Sequence, residues 1–108
     1  MKRRTIIYGD GAEGDILGIT DFIARDSAIN AMKALERLEH RIGTLAATLP
    51  ERGRVVPELH WHGISSVREI FEKPWRILYQ IKAKELVIVA VYDGRRQLSD
   101  VLMERFLR

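Results

Sequence analysis

Trp75-Arg76-Ile77-Leu78-Tyr79-Gln80-Ile81-Lys82, a break at Ala83-Lys84, and then Glu85-Leu86-Val87-Ile88-Val89-Ala90-Val91-Tyr92 decide the fold of this chain. Side chains alternate between the two faces of a strand. Ile77, Tyr79 and Ile81 therefore share one face of the first segment, and Arg76, Leu78, Gln80 and Lys82 the other. The second segment is apolar on both faces, which predicts a central strand covered on both sides. Upstream, Val67 to Phe71 reads as another strand, turned by Glu72-Lys73-Pro74. Three consecutive strands with tight turns predict an antiparallel meander. The last strand runs into Asp93-Gly94-Arg95-Arg96, so two guanidinium groups stand at the rim of the sheet, where an acidic partner or a phosphate can reach them.

The N-terminal half follows a different period. Arg4 to Tyr8 is β-branched and aromatic and is stopped by Gly9-Asp10-Gly11, a short first strand. Asp10 lies three residues before Glu13, the spacing of a capping box. From Ala12 to Arg25, apolar residues at Ala12, Ile16, Ile19 and Ile23, with Phe22 beside them, predict a helix that Gly18 weakens by about 1 kcal/mol relative to alanine. Asp26-Ser27 interrupts it, and the Ser27 hydroxyl suits an N-cap. Ala28, Met32, Leu35, Leu38, Ile42, Leu45 and Leu49 then recur every three or four residues, with Lys33, Glu36, Arg37, Glu39 and Arg41 opposite. Two helices joined by so short a break predict an αα-hairpin, and their narrow apolar stripes need a flat surface to cover. In this reading Ile16, Ile19, Phe22, Ile23, Met32 and Leu35 are mostly core.

Pro50-Glu51-Arg52-Gly53-Arg54 opens a loop that Pro57 keeps extended to about Gly63. Gln97 to Leu107 carries Leu98, Val101, Leu102 and Phe106 and predicts a closing helix, capped by Ser99 or Asp93. The expected order is β-α-α-β-β-β-α: an α+β fold with an antiparallel sheet packed against a helical hairpin, its other face open or partly covered.

Composition bounds the rest. The 108 residues fit a single domain, 1–108, with no linker or repeat. No cysteine is present, which excludes disulfides and thiolate metal sites and fits a reducing, cytoplasmic setting. No apolar run approaches the roughly 18 residues of a membrane span. The start Met1-Lys2-Arg3-Arg4 is basic, but Ile6-Ile7-Tyr8 is too short for a signal peptide. A net charge of +3 and a pI near 9.5 are mild and do not by themselves indicate nucleic-acid binding. Glu58-x-His60-x-His62 has metal-ligand residue types that would share a face in an extended segment, yet nothing nearby would orient the histidines, and no metal or cofactor is assigned. Trp61 and Trp75 read as core or as partner contacts, and Tyr79, beside Ile77 and Ile81, as core.

The helical hairpin, Pro50-Glu51-Arg52-Gly53-Arg54-x-x-Pro57-Glu58-Leu59, Val67-Arg68-Glu69-Ile70, Trp75-Arg76-Ile77-Leu78-Tyr79-Gln80-Ile81 and Val89-x-Val91-Tyr92-x-Gly94-Arg95-Arg96 together resemble the RelE/ParE superfamily of bacterial type II toxins. The order and spacing carry the resemblance, which spans nearly the whole chain. The loop and the Gly-Arg-Arg corner are most similar to the ParE branch.

The resemblance implies a toxin neutralised by a cognate, ParD-like antitoxin in a hetero-oligomeric complex. RelE-like members cut mRNA in the ribosome, whereas ParE-like members are thought to poison DNA gyrase, and fold alone does not separate the two. RNA cleavage needs a 2′-hydroxyl deprotonated, a phosphorane stabilised and a leaving oxygen protonated. In RelE-like ribonucleases two lysines, two arginines and a tyrosine supply this. Aligned through the Trp-Arg strand, Arg76 and Arg96 match the arginines, while Val67 and Glu69 stand at the lysine positions and Leu102 at the tyrosine position. A shift of one residue across the turn would bring Arg68 to a lysine position.

The preferred expectation is therefore a non-enzymatic, gyrase-directed toxin with at most indirect DNA contact. The alternatives are a RelE-like mRNA endonuclease using Arg68, Arg76 and Arg96, and an inactive antitoxin-binding module. Arg76, Arg95, Arg96 and Arg105 are the expected target contacts. Arg76 has a second reading as a cross-strand partner of Glu69 or Glu72, and Arg105 and Arg108 a second reading as cations at a helix C-terminus. Ile16, Ile19, Phe22, Ile23 and Trp75 are the expected antitoxin contacts, and the free edge of the meander would accept an added antitoxin strand.

Overall fold

The computed structural model describes residues 3–48 and 50–106, with side chains throughout except at 52 and 103–106. The chain runs β1 (Thr5–Tyr8), α1 (Asp10–Ala24), α2 (Ala28–Ala47), a 3₁₀ turn (Pro50–Arg52), β2 (Arg54–Val55), α3 (Pro57–His60), β3 (Val67–Glu72), β4 (Trp75–Ile81), β5 (Glu85–Asp93) and α4 (Leu98–Phe106). The expected meander is β3-β4-β5, antiparallel throughout. β1 adds to it in parallel beside β5, and β2 antiparallel beside β3, giving one sheet of order β1-β5-β4-β3-β2. The expected positions of Leu49, Leu107 and Arg108 lie outside the described residues.

Three local expectations are corrected. The segment after Pro50 is not one extended loop. Gly53 lets the chain pass close over Tyr79, β2 pairs Arg54 with Glu69 and Val55 with Arg68, and Pro57 starts a helical turn. Proline fits the first helical position because its fixed φ is helical and its missing N–H needs no partner there. Gly9, not Asp10, is the N-cap of α1, without a side-chain cap bond, and Asp10 sits in the first turn. Ser27 does cap α2, accepting from the Asn30 N–H at 3.1 Å. Finally, the middle strand is β4, because β2 extends the sheet on the far side. β5 still has a neighbour on each side.

The helical hairpin covers one face, with Ala12, Ala34, Leu38, Ile42 and Leu45 packed on Trp75, Ile77, Tyr79, Leu86 and Ile88. The stripe turned inward differs from the one the large residues suggest. Ala31 and Ala34 are buried, whereas Phe22 and Met32 are exposed and Ile16, Ile19, Ile23 and Leu35 are half-buried. Alanines on the inner face allow close packing, so the larger neighbours are left at the margin. The opposite face is covered by α3 and α4. Val56, Leu98 and Val101 pack on Val67, Leu78, Ala90 and Tyr92.

A β-bulge divides β5 between the two faces. Leu78 pairs with Ala90 and Tyr79 with Ile88, so Val89 is the extra residue of the bulge. An extra residue reverses the alternation beyond it. Leu86, Ile88 and then Val91 thus face the hairpin, and Tyr92 turns to the face that carries Arg76. Beyond the end of β1, the Val91 N–H is met by the Asp15 carboxylate of α1 at 2.9 Å.

Candidate functional site: a cationic corner beside an apolar groove

Two features meet where β5 ends. The first is a groove of about 750 Å³ between α1 and the last turn of the sheet. Its walls include Gly18, Ile19, Phe22, Ile23 and Trp75, and Arg95 and Arg96 stand on its rim. Four of the five residues expected to meet an antitoxin therefore converge there. Ile16 does not line the groove and packs against the core instead. Trp75 is buried, with the Arg37 guanidinium 5.1 Å from its ring centre, while Phe22 is 68% exposed. Trp61 is 87% exposed, so it is not a core residue; of its two readings from sequence, only the partner contact is compatible with this position.

The second feature is a charged cluster on the opposite face of the sheet. Alternation along β3 and β4 puts Glu69 and Arg76 on one side, and the bulge brings Tyr92 beside them. Arg76 donates through Nε and Nη2 to Glu69, and through Nη1 and Nη2 to Glu58 at 3.1 and 3.4 Å. Glu69, fully buried, also receives the Arg54 Nε. The Arg76 guanidinium lies 5.4 Å from the centre of the Tyr92 ring. Of the two pairings the sequence allows Arg76, Glu69 is the one formed. Glu72 faces the other way and pairs with Arg37 at 2.9 Å.

Electrostatics follow this geometry. Burial pulls the Arg76 guanidinium down, but its bonds to Glu58 and Glu69 outweigh that and raise it, so it is charged at every accessible pH. The Arg76 hydrogen bonds hold the Glu58 carboxyl below its ordinary range. Burial pushes the Tyr92 hydroxyl up to about 12, which keeps it protonated near neutrality and removes it as a base there. Arg68 does not join the cluster. It projects to the hairpin side and donates to the Glu51 and Gly53 carbonyls at 3.2 and 2.8 Å.

Arg95 and Arg96 are exposed at the corner, as the Gly-Arg-Arg segment predicts. Arg95 is bound to Asp93 through Nε at 2.9 Å and Nη2 at 2.6 Å. The side chain of Arg105 lies outside the described residues. Among the described residues no cluster of three or more His, Asp or Glu is placed to hold a metal. α3 is helical, so the face that Glu58, His60 and His62 would share in a strand does not exist, and Glu58 is committed to Arg76.

The corner carries a pH signature. The Arg95 guanidinium, and then its backbone N–H, hold Asp93 at about 2 against an ordinary 3.8. The unfolded chain therefore takes up this proton first. The stabilisation is complete above roughly pH 4 and is lost as pH falls through about 2. Asp93→Asn is expected to flatten the fall in the urea midpoint between these two values, and an unchanged slope would rule the linkage out.

The family model of the ParE toxin of the type II toxin–antitoxin system parDE matches residues 6–98. Toxin ParE3 of Caulobacter vibrioides is 30% identical over 89 residues, covering 78% of this chain and 84% of that toxin. Among solved structures, the fold is similar to one from the chromosomal ParDE system of P. aeruginosa, with a TM-score of 0.66, 19% identity, and coverage of 84% of this chain and 96% of that one. It is also similar to one from the toxin–antitoxin complex RelBE2 of Mycobacterium tuberculosis, with a TM-score of 0.60, 21% identity, and coverage of 86% and 93%. Among the described residues no helix is long and apolar enough to cross a membrane. With the sheet, the hairpin and the arginine corner all in the expected places, the chain belongs to the ParE toxin family of type II toxin–antitoxin systems.

Proposed function

We propose that this toxin acts by binding DNA gyrase rather than by cutting RNA, and that a cognate antitoxin neutralises it by occupying the groove beside α1. One observation carries the first half. Arg76, the arginine a RelE-like ribonuclease would turn to its substrate, is buried between Glu69 and Glu58. The neighbouring side chains of β3 on that face are Val67 and Glu69, neither of which supplies a cation. A phosphorane forming there would meet carboxylates and no strong proton shuttle. Supporting the second half, the groove offers exposed Phe22 with Ile19 and Ile23, and ends in two arginines that favour an acidic end on the incoming segment.

The deciding experiment uses purified chain, gyrase, plasmid DNA and ATP. Supercoiling should fall and cleaved plasmid should accumulate in proportion to the chain added, while mRNA in programmed ribosomes stays intact. Unimpaired supercoiling with no cleaved DNA at excess toxin would remove gyrase as the target.

A further inference from the structure

Trp61 serves neither the core, the groove nor the charged cluster, yet its backbone is held firmly. It follows the last residue of α3, and the turn after it closes in a defined way. Gly63 has a φ of 79°, in the left-handed region, and the Ile64 and Gly63 N–H groups donate back to the Leu59 and His60 carbonyls, both at 2.9 Å. This pair of bonds is the Schellman end of a helix. The Trp61 N–H donates to the Pro57 carbonyl at 3.1 Å, and Leu59 packs on the core beneath α4. Tryptophan is highly buried on average, as Trp75 is here. At 61 an anchored backbone instead presents the indole to solvent, with Ile64 exposed beside it. The turn is also continuous with the arginine corner. Leu59 and His62 wall one side of a cavity of about 430 Å³, and Arg95, Arg96 and Ser99 the other. Glu58 is committed to Arg76 and Asp93 to Arg95, so the corner end of this surface keeps a net positive charge.

We infer that the Trp61 turn is the toxin's contact with gyrase, with the indole as the anchor that enters an apolar pocket on the enzyme and the arginine corner meeting carboxylates beside that pocket. Tryptophan and arginine dominate the energetics of protein interfaces, and an anchor already fixed in its bound position loses little entropy on binding. The inference rests on the gyrase reading and supplies the surface which that reading leaves unassigned. It also separates the two partners in space. α3 lies on the face of the sheet opposite the hairpin, away from the antitoxin groove, but Arg95 and Arg96 line both the groove and the cavity beside Trp61. An antitoxin in the groove thus covers one end of the target surface and neutralises the toxin without reaching the indole.

The test uses the full chain, gyrase and plasmid DNA. Trp61→Ser should leave the Tm unchanged, because the side chain is in solvent, yet require at least about tenfold more toxin for the same loss of supercoiling. Trp61→Phe, which keeps an aromatic anchor, should recover part of that loss. Hydroxyl-radical footprinting reads the contact directly. Oxidation of Trp61 should slow about fivefold or more when gyrase is added, since an interface anchor is shut off from water. It should not slow with plasmid alone or at raised toxin concentration. Protection by plasmid alone would make Trp61 a nucleic-acid contact, and protection by concentration a contact between toxin copies; either overturns the assignment. Undiminished inhibition by Trp61→Ser, or an unprotected Trp61 in a toxin that does inhibit gyrase, overturns it and leaves the gyrase reading standing. A wild-type chain that leaves supercoiling untouched removes both.

Discussion

Glu69→Ala is expected to destabilise the toxin by about 3–5 kcal/mol, the largest effect of any single charge removal on this sheet. Glu69 is fully buried and serves two guanidinium groups, Arg54 and Arg76. Arg54 is largely exposed and can return to water. Arg76 cannot, since its side chain is 8% exposed and lies between the Phe71 and Tyr92 rings. Without Glu69 it keeps only Glu58, which is itself half in water. The loss is thus the cost of leaving a buried cation under-compensated, and says little about the net worth of the pair. A second variant separates these. Glu69→Leu combined with Arg76→Met removes both charges and keeps the volume, and should recover most of the stability. Urea denaturation of the three proteins decides it. A loss below about 1 kcal/mol in Glu69→Ala would mean that Arg76, 8% exposed as it stands, is hydrated by local rearrangement.

The pair also shows which parts of the site can be read from sequence. That Arg76 would meet Glu69 or Glu72 follows from strand alternation and a tight turn. Which of the two it meets depends on the face, and that too is available from the pattern, because Glu72 shares the parity of Ile70 and so turns to the hairpin. The presence of Tyr92 is not available. Strict alternation from Leu86 and Ile88 would put Tyr92 on the hairpin face. Only the bulge at Val89 reverses it, and an all-apolar strand gives no local signal for a bulge.

The same limit appears on the helices. The 3.6-residue period identifies α1 and α2 and the cap at Ser27. It does not say which of two adjacent stripes turns inward, since hydrophobicity favours Met32 and close packing favours Ala31 and Ala34. Phe22 and Met32 therefore read as core and stand in solvent. Phe22, which the sequence also offers as an antitoxin contact, is thereby left to line the groove proposed for the antitoxin. At the arginine corner, by contrast, Gly94 and two consecutive cations after an apolar strand leave few other places to go.

Gly53→Ala is expected to cost about 2–4 kcal/mol, although the substitution adds one methyl group to a loop. No positive φ is involved. The reason is space. A Cβ at 53 would fall inside the Tyr79 hydroxyl oxygen, 2.7 Å from Cζ and 3.0 Å from the Glu69 carbonyl oxygen. A flexible side chain could step aside, but Tyr79 is fully buried among Ile77, Ile42 and Leu38, and its hydroxyl donates to the Pro50 carbonyl. Moving the ring opens the core, and moving the loop takes β2 off β3 together with the Arg54 bond to Glu69. Tyr79→Phe alone should cost about 1 kcal/mol for the lost hydrogen bond. Added to Gly53→Ala it removes the worst contact, so the double variant should be less destabilised than the sum of the single ones by at least 1 kcal/mol. Strict additivity in thermal or urea unfolding would show that the 50–55 loop yields freely and does not pin the edge of the sheet. If the loop is fixed, as its contacts indicate, the glycine is what lets β2 lie close enough to bring Arg54 onto Glu69, and the stability of the charged cluster depends on a residue with no side chain at all.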